Sequence, residues 1–315
     1  MLLVTTSYDV GADYVSSALS SLGVAFHRLN TDQFPSETHI TFDPQRDIVF
    51  SSGASRTTGS EVTAVWYRRI AGPNLSKDLD PGIREFCERE CRAFITGTVS
   101  SLTPKRWLSA PWALALAEKK PYQLRIAHEV GFRIPETRMT NDPAAVAELG
   151  SAHKIAAKAV SSGYIQAGEG YAAIFTSEVS AADLQDLSSL SVSPVTFQEL
   201  VDKVVDIRVT AVGQQLFAAE ILSQTHDSSR TDWRATDDGN LEHRRHELPA
   251  QVGALCQVLV GKLGLHFAAI DLAVIQNGDY VFFELNPNGE WVWIEDQLGY
   301  PISRTIAEWL SGQAD

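Results

Sequence analysis

The stretch FAAIDLAVIQNGDYVFFELNPNGEW (267–291) sets two β-rich runs on either side of Asn277-Gly278. That dipeptide is the preferred centre of a two-residue type I′ hairpin, because both residues tolerate positive φ. With those two at the turn, Gln276 opposes Asp279, and the ladder carries Asp271 directly opposite Glu284. Asn286, two residues beyond Glu284, projects from the same face. Two opposed carboxylates repel, and both lie in apolar runs where an uncompensated charge is costly. A hard divalent cation held by oxygen ligands is the simplest compensation. The alternative is a solvent-facing pair at a sheet edge, where water screens the repulsion. The apolar character of FAAIDLAVI and YVFFEL favours the metal.

Upstream, PVTFQELVDKVVDIRVTAVG and QQLFAAEILSQ read as further strands, and a long helix over about 249–263 leads into the hairpin. Lys203, Asp206 and Arg208 lie in the first of these runs. Asp206 and Arg208 share a strand face, either as a structural ion pair or as part of a site. The polar loop holding Asp232-Trp233-Arg234 adds an arginine that is either functional or surface decoration. Further back, HKIAAKAV (153–160) and YAAIFTSEV (171–179) read as strands around SSGYIQAGEG (161–170), a loop with three glycines. Lys158 can supply charge and the loop N–H groups can approach phosphate oxygens, with Gly163, Gly168 and Gly170 permitting close contact. The bland reading is a flexible hairpin. Residues 113–131 read as helix, with Pro121 near a start and Gly131 at the stop, and Lys119-Lys120 at that start are a second cationic pair. A strand over 136–140, a helix capped by Asn141/Asp142 and a helix after residue 180 complete the middle of the chain.

The first hundred residues alternate differently. LLVTT (2–6), a helix over about 12–22 closed by Gly23, and AFHRLN (25–30) form a β-α-β start that predicts a parallel, helix-flanked sheet. Strands at 38–42, 47–52 and 62–69 follow, then a helix over about 82–98, and a break near Pro104–Pro111. Trp66-Tyr67-Arg68-Arg69 ends a buried strand at its carboxyl end, where α/β sheets bind ligands. Arg68 and Arg69 there are balanced between ligand contact and an interdomain salt bridge.

The chain has 315 residues, about two domains' worth, with 44% hydrophobic and 21% charged residues, ordinary values for a globular protein. Its 26 basic and 39 acidic residues leave a formal net charge of −13, which argues against nucleic acid as a general partner. No apolar run reaches membrane-span length, and the start lacks a secretory signal pattern. Three cysteines make no disulfide framework, so a cytoplasmic location is expected. Cys87 and Cys91 lie i,i+4 on one helix, while His243 and His246 point to opposite strand faces, so neither pair reads as a metal site. Walker A, GxGxxG, HExxH, GxSxG and CxxC patterns are absent.

Taken in order, a helix-start Lys, a strand Lys before a Gly-rich loop, QEL, an Asp-x-Arg strand and an Asp…Glu-x-Asn pair resemble the ATP-grasp superfamily. WYRR, IPETRMTND, QELVDKVVDIRVTAVG, the DWR loop and FELNPNGEW are similar to the maturases of microviridin-type peptides, the graspetide ligases. The resemblance spans nearly the whole chain. It implies a mixed α/β and α+β ATP-grasp fold: an N-terminal α/β pre-ATP-grasp domain (1–110), a small central subdomain with the Gly-rich loop (111–190) and a C-terminal antiparallel-sheet subdomain (191–315). Lys119 or Lys120, Lys158 and Gly168 would then contact ATP phosphates, with Gln198, Glu199, Leu200 and Lys203 around the adenine. Asp271, Glu284 and Asn286 would hold Mg²⁺. Arg208 and Arg234 would stabilise an acyl phosphate, Asp206 would position Arg208 or the substrate, and Arg68, Arg69 and Asp232 would face the substrate. The implied partner is a ribosomal precursor peptide whose Asp/Glu side chains are joined to hydroxyls or amines, with a homodimer as the default assembly. Alternatives on the same scaffold are a ligase of small molecules or protein tails, and a nucleotide-binding regulator without turnover.

Overall fold

The computed structural model describes every residue except 162, 168–169, 236–240 and 314–315. The N-terminal strands β1 (Leu2–Thr5) and β2 (His27–Asn30) run parallel around helix α1 (Val10–Ser21). Asp9 caps that helix by accepting from the Ala12 N–H. Strands β3 (Thr38–Phe42), β4 (Ile48–Ser52) and β5 (Ser55–Thr58) form a separate antiparallel meander. The chain then rejoins the first sheet as β6 (Ala64–Tyr67), passes through helix α2 (Pro81–Ser100) and adds β7 (Arg106–Ser109). The order β2-β1-β6-β7, all parallel, is the sheet expected from the β-α-β start.

The expected helix over 113–131 is two helices, α3 (Pro111–Ala117) and α4 (Lys120–Val130). Pro121 explains the break, since its ring cannot continue a helix but suits a first turn. The central lobe holds β8 (Thr137–Thr140), α5 (Pro143–Ala152), β9 (Ile155–Lys158), the hairpin β10 (Tyr164–Ala167) and β11 (Gly170–Ala173), β12 (Ser177–Glu178) and β13 (Val195–Glu199). Its sheet order is β12-β9-β13-β8, antiparallel throughout. The single strand expected over 171–179 is interrupted, and the helix expected after residue 180 is replaced by two 3₁₀ turns. Asp183 and Asp186 accept from the backbone N–H groups of Ser180 and Ser188, an alternative to helical pairing that Asp and Ser offer the chain.

The largest sheet follows: β14 (Lys203–Val212), β15 (Gln215–Ile221), β16 (His243–His246), then α6 (Ala250–Lys262), β17 (Phe267–Ile275) and β18 (Tyr280–Asn286). Its order is β16-β15-β14-β17-β18, antiparallel. Helices α7 (Val292–Leu298) and α8 (Ile302–Ser311) end the chain. Helix α8 packs back on α1 and on strands β6 and β7. Leu3, Val15 and Leu19 of the first sheet layer thereby share one apolar cluster with Trp291, Ile306 and Leu310. A second cluster joins Leu2, Val4 and Val65 to Ile207, Val209 and Ile270. The central lobe has its own small core of Val146, Leu149, Ile155, Leu190 and Phe197. Among the described residues, no helix is long and apolar enough to cross a membrane.

Candidate active site

Asp271 does oppose Glu284, and Asn286 pairs with Ala269 one step along the same face. The route to that pairing differs from the expected one. Ile275 accepts from Gly278 and donates to the Asp279 carbonyl, so the turn has three residues, with Gly278 in the left-handed region at φ +85°. That shifts the ladder by one residue, which alone would turn Glu284 away from Asp271. A bulge between Asp271/Glu284 and Leu272/Phe282 inserts Phe283 and restores the register. Here the two carboxylates are compensated by the chain's own cations. Arg208 Nη1 donates to both Asp271 oxygens at 2.7 and 2.9 Å, and Lys120 Nζ reaches Glu284 Oε2 at 2.8 Å.

Lys120 is brought there by Gln123, one turn along α4. The Gln123 amide is buried and forms both halves of a backbone-like pair with Leu285 of the edge strand β18. Its Nε2 donates to the Leu285 carbonyl at 2.7 Å, and its Oε1 accepts the Leu285 N–H at 3.1 Å. The residue is legible only as a polar side chain on Lys120's helix face, and it was not singled out from the sequence. Lys119 caps the same helix, is exposed and does not line the cleft, so Lys120 is the member of the pair that reaches it.

Lys158 ends β9 and donates to Gln198 Oε1 at 3.0 Å, while Gln198 Nε2 donates to Thr137 at 2.9 Å. Gln198 therefore orients Lys158. Burial pushes the Lys158 ammonium down from its ordinary value, opposed by Glu284. Arg234 is held in a fork by Asp232 at 2.9 and 2.8 Å, and its Nη1 lies 4.0 Å from Glu284. Asp232 is buried and also accepts the Thr176 N–H, so it holds both Arg234 and the neighbouring segment while lining the adjoining recess. Burial alone would raise the Glu284 carboxyl, but Lys120, Lys158 and Arg234 overcome that and lower it to about 2. These groups line a cleft of about 680 Å³ with Glu118, Asn286 and Thr176. Gly168 lies outside the described residues.

An adjoining recess is lined by Gln198, Glu199, Leu200, Val201, Lys203 and Phe283. Lys203 and Asp206 are three residues apart, which on a regular strand would put them on opposite faces. A bulge between Lys203 and Val205 reverses the parity. Lys203 Nζ then lies 2.9 and 2.7 Å from the two Asp206 oxygens and 5.9 Å from the Phe283 ring centre. Asp206 also accepts from Ser223. It is thus committed to Lys203 and Ser223, not to Arg208, and burial raises its carboxyl above the usual range. The N–H groups of Glu199 and Leu200 are engaged by the Glu136 and Lys154 carbonyls.

Arg68 is fully buried, with Nε on Asp9 at 2.8 Å and Nη2 3.4 Å from Glu290. Arg68 thus forms the salt bridge between layers expected as one of its two readings. Arg69, half-exposed, contacts Glu290 at 2.8 Å and lines a neighbouring cavity of about 650 Å³ with Tyr8, Tyr67, Asn286 and Asn288. Glu290 and Asn288 are further residues that the sequence did not single out, since neither sits in a strand pattern. The donor set at Asp271, Glu284 and Asn286 suits a hard cation: two carboxylates and an amide oxygen on one face, without nitrogen or sulfur ligands. Among the described residues no three acidic, His or Cys side chains cluster as a metal site, and the third oxygen donor on this face is the Asn286 amide.

Residues 1–114 match the family model described as the MvdD pre-ATP grasp domain. Macrocyclase MdnC of Microcystis aeruginosa MRC, solved with its precursor peptide MdnA, is 32% identical, with a TM-score of 0.88 and 99% of each chain covered. Macrocyclase MdnB of the same organism is 34% identical, with a TM-score of 0.80 and 98% of each chain covered. A RiPP-associated ATP-grasp ligase of Chryseobacterium gregarium, in complex with ADP and leader and core peptides, is 27% identical. Its TM-score is 0.91, covering 100% of this chain and 97% of that one. No curated protein sequence matches the chain. Full-length likeness to two macrocyclases at more than 30% identity, on one shared fold, fixes the kinship: the chain is an ATP-dependent ligase and belongs to the ATP-grasp peptide macrocyclase family.

Proposed function

We propose that the chain joins Asp or Glu side chains of a ribosomally made precursor peptide to hydroxyl or amine side chains of that peptide, at the expense of ATP. One observation carries this reading. Lys120, Lys158 and Arg234 converge on Glu284 in a cleft that Asn286 also lines, with Asp271 opposite Glu284 in the adjoining recess, so phosphate oxygens and a divalent ion find partners at the same place. The likeness to macrocyclases supports the substrate class.

Glu284, Asp271 and Asn286 would hold Mg²⁺, which when bound neutralises phosphate charge. Lys120 and Lys158 would then turn from their present partners to phosphate oxygens. The base would enter the recess between Glu199–Val201 and Phe283. There the Glu199 and Leu200 N–H groups are already engaged by the Glu136 and Lys154 carbonyls, so recognition of the base would fall to other backbone groups of this segment. Arg234, locked by Asp232, and Arg208, locked by Asp271, are pre-oriented cations for the charge that develops on the transferred phosphoryl group. A peptide carboxylate oxygen attacks the γ-phosphorus as the bond to ADP breaks, giving an acyl phosphate. A hydroxyl or amine then attacks the acyl carbon and expels phosphate, forming an ester or amide with net loss of one water. No protein nucleophile is needed; alignment and charge stabilisation suffice. We read residues 1–110, 111–190 and 191–315 as the three parts that assemble this site, in the cytoplasm, where ATP is available and its three free cysteines stay reduced.

The test is incubation with an acid-rich precursor, ATP and Mg²⁺. The expected product is lighter by one water per linkage, with one ADP released for each. Release of ADP with no change in peptide mass would overturn the reading.

A further inference from the structure

The loop after Asn286 is gripped from two sides. From the N-terminal sheet, Arg68 Nη2 lies 3.4 Å from both Glu290 oxygens, and Arg69 Nη1 lies 2.8 Å from one of them. Arg69 Nη2 also donates to the Asn288 carbonyl at 3.5 Å. From the large sheet, Arg208 Nη2 donates to the Glu290 carbonyl at 3.4 Å, while its Nη1 holds Asp271. Within the loop, the Asn288 N–H donates to Asn286 Oδ1 at 2.9 Å. Gly289 lies so close to β17 that a Cβ there would stand 2.3 Å from the Ala269 Cβ and 2.9 Å from Arg208 Nη2.

The grip is stiff because Arg68 has no exposed side-chain surface. Asp9 and Glu290 share its charge, and losing either would leave a buried guanidinium under-compensated. Loop displacement is therefore opposed at its far end. At its near end, the loop fixes the amide of Asn286 through Asn288 and the guanidinium of Arg208 through the Glu290 carbonyl. Glu290 does not line the main cleft. We infer that Glu290 is a positioning residue: through Arg68 and Arg69 the N-terminal sheet fixes the 287–290 loop, and so aligns Asn286 and Arg208 for the reaction. The role rests on the function proposed above, and it makes the docking of the two sheets a condition for metal-assisted phosphoryl transfer.

Glu290→Gln keeps the size and removes the charge. In the full chain, peptide-dependent ADP release should fall in kcat by about tenfold, and the Mg²⁺ concentration giving half the maximal rate should rise several-fold, the scale typical of outer-shell partners of a metal site. KM for the peptide should stay within about twofold, and Glu290→Asp should recover part of the loss. Calorimetry supplies a readout that needs no peptide: the tightening of ADP binding on adding Mg²⁺ should shrink in Glu290→Gln, with metal-free ADP affinity unchanged. A lower melting temperature with unaltered Mg²⁺ dependence would make Glu290 a strut only, and a rise in peptide KM alone would make it a substrate contact. Either result overturns the inference. Should no precursor be crosslinked by the wild type, the proposed function fails while the calorimetric arm still decides this one. If Glu290→Gln does not fold, Arg69→Ala at the half-exposed end of the grip should show the same Mg²⁺ effect in smaller degree, and its absence there counts against the inference.

Discussion

Glu284 is the residue on which the opposing charges of the cleft meet, and its carboxyl, lowered to about 2 by Lys120, Lys158 and Arg234, is ionised across the whole physiological range. Glu284→Gln preserves shape but leaves three cations facing a neutral amide. ADP formation should drop by at least about a hundredfold, the lower end of losses for removing a key electrostatic group. The loss should be the same at pH 6 and pH 8, because the wild-type group titrates far below both. Destabilisation should stay within about 1–3 kcal/mol, since the carboxylate is part-exposed and the fold keeps its packing. Steady-state ADP release and thermal melting measure the two effects, and turnover within tenfold of wild type would remove Glu284 from the proposed site. Residue identity carried much of this into the sequence: Asp271, Glu284, Lys158 and Arg234 were all readable as candidates. What one-dimensional spacing could not resolve was which cation meets which acid. Asp206 went to Lys203, Asp232 to Arg234, and Lys120 rather than Lys119 reached the cleft.

Elements show where reading by period fails. An inserted residue changes the face of everything beyond it yet leaves composition untouched, so the bulges at Val204 and Phe283 were invisible. The first placed Lys203 against Asp206; the second cancelled a one-residue error in the turn. Strong caps and breakers were legible instead: Asp142 at α5, Pro121 and Gly131 on α4. The strand β2 yields a prediction of its own. His27 is buried there, with Nδ1 2.9 Å from Ser55 of β5, and burial together with the nearby N-terminal ammonium lowers its pKa. A folded-state pKa below the unfolded value means that the neutral ring's contribution is fully present above about pH 6.5 and is lost as pH falls, until the folded state also takes the proton. The slope is limited to about 1.4 kcal/mol per pH unit for one proton. Between pH 7 and pH 5 the wild type should therefore lose stability more steeply than His27→Gln. Denaturant melts at several pH values compare the two, and parallel curves would contradict the assignment.

At the scale of the molecule, the −13 net charge hides a locally cationic cleft, and the sheets that build it do not share one core. Two large apolar clusters each join the N-terminal layer to the five-stranded sheet, through Leu2, Val65 and Ile270 in one and through Leu19, Phe217 and Phe267 in the other. Those two layers should consequently unfold together. The central lobe rests on five buried side chains of its own, yet it supplies Lys158 and Gln198 to the cleft. A small separate core means a low cost of local opening, which is the property a nucleotide-covering lobe requires. Without ligand, amide exchange in β8, β9 and β13 should report an opening free energy well below that of β14 and β17. Adding ADP with Mg²⁺ should raise protection in the central lobe selectively, because a ligand held between Lys158 and Glu284 would bind only with the lobe folded in place and stabilise it by mass action. Mass-resolved hydrogen exchange can follow each strand. A single opening free energy across both lobes in the ligand-free chain, or protection by ADP with Mg²⁺ that spares β9 and β13, would show that the central lobe does not move as a separate unit over the nucleotide.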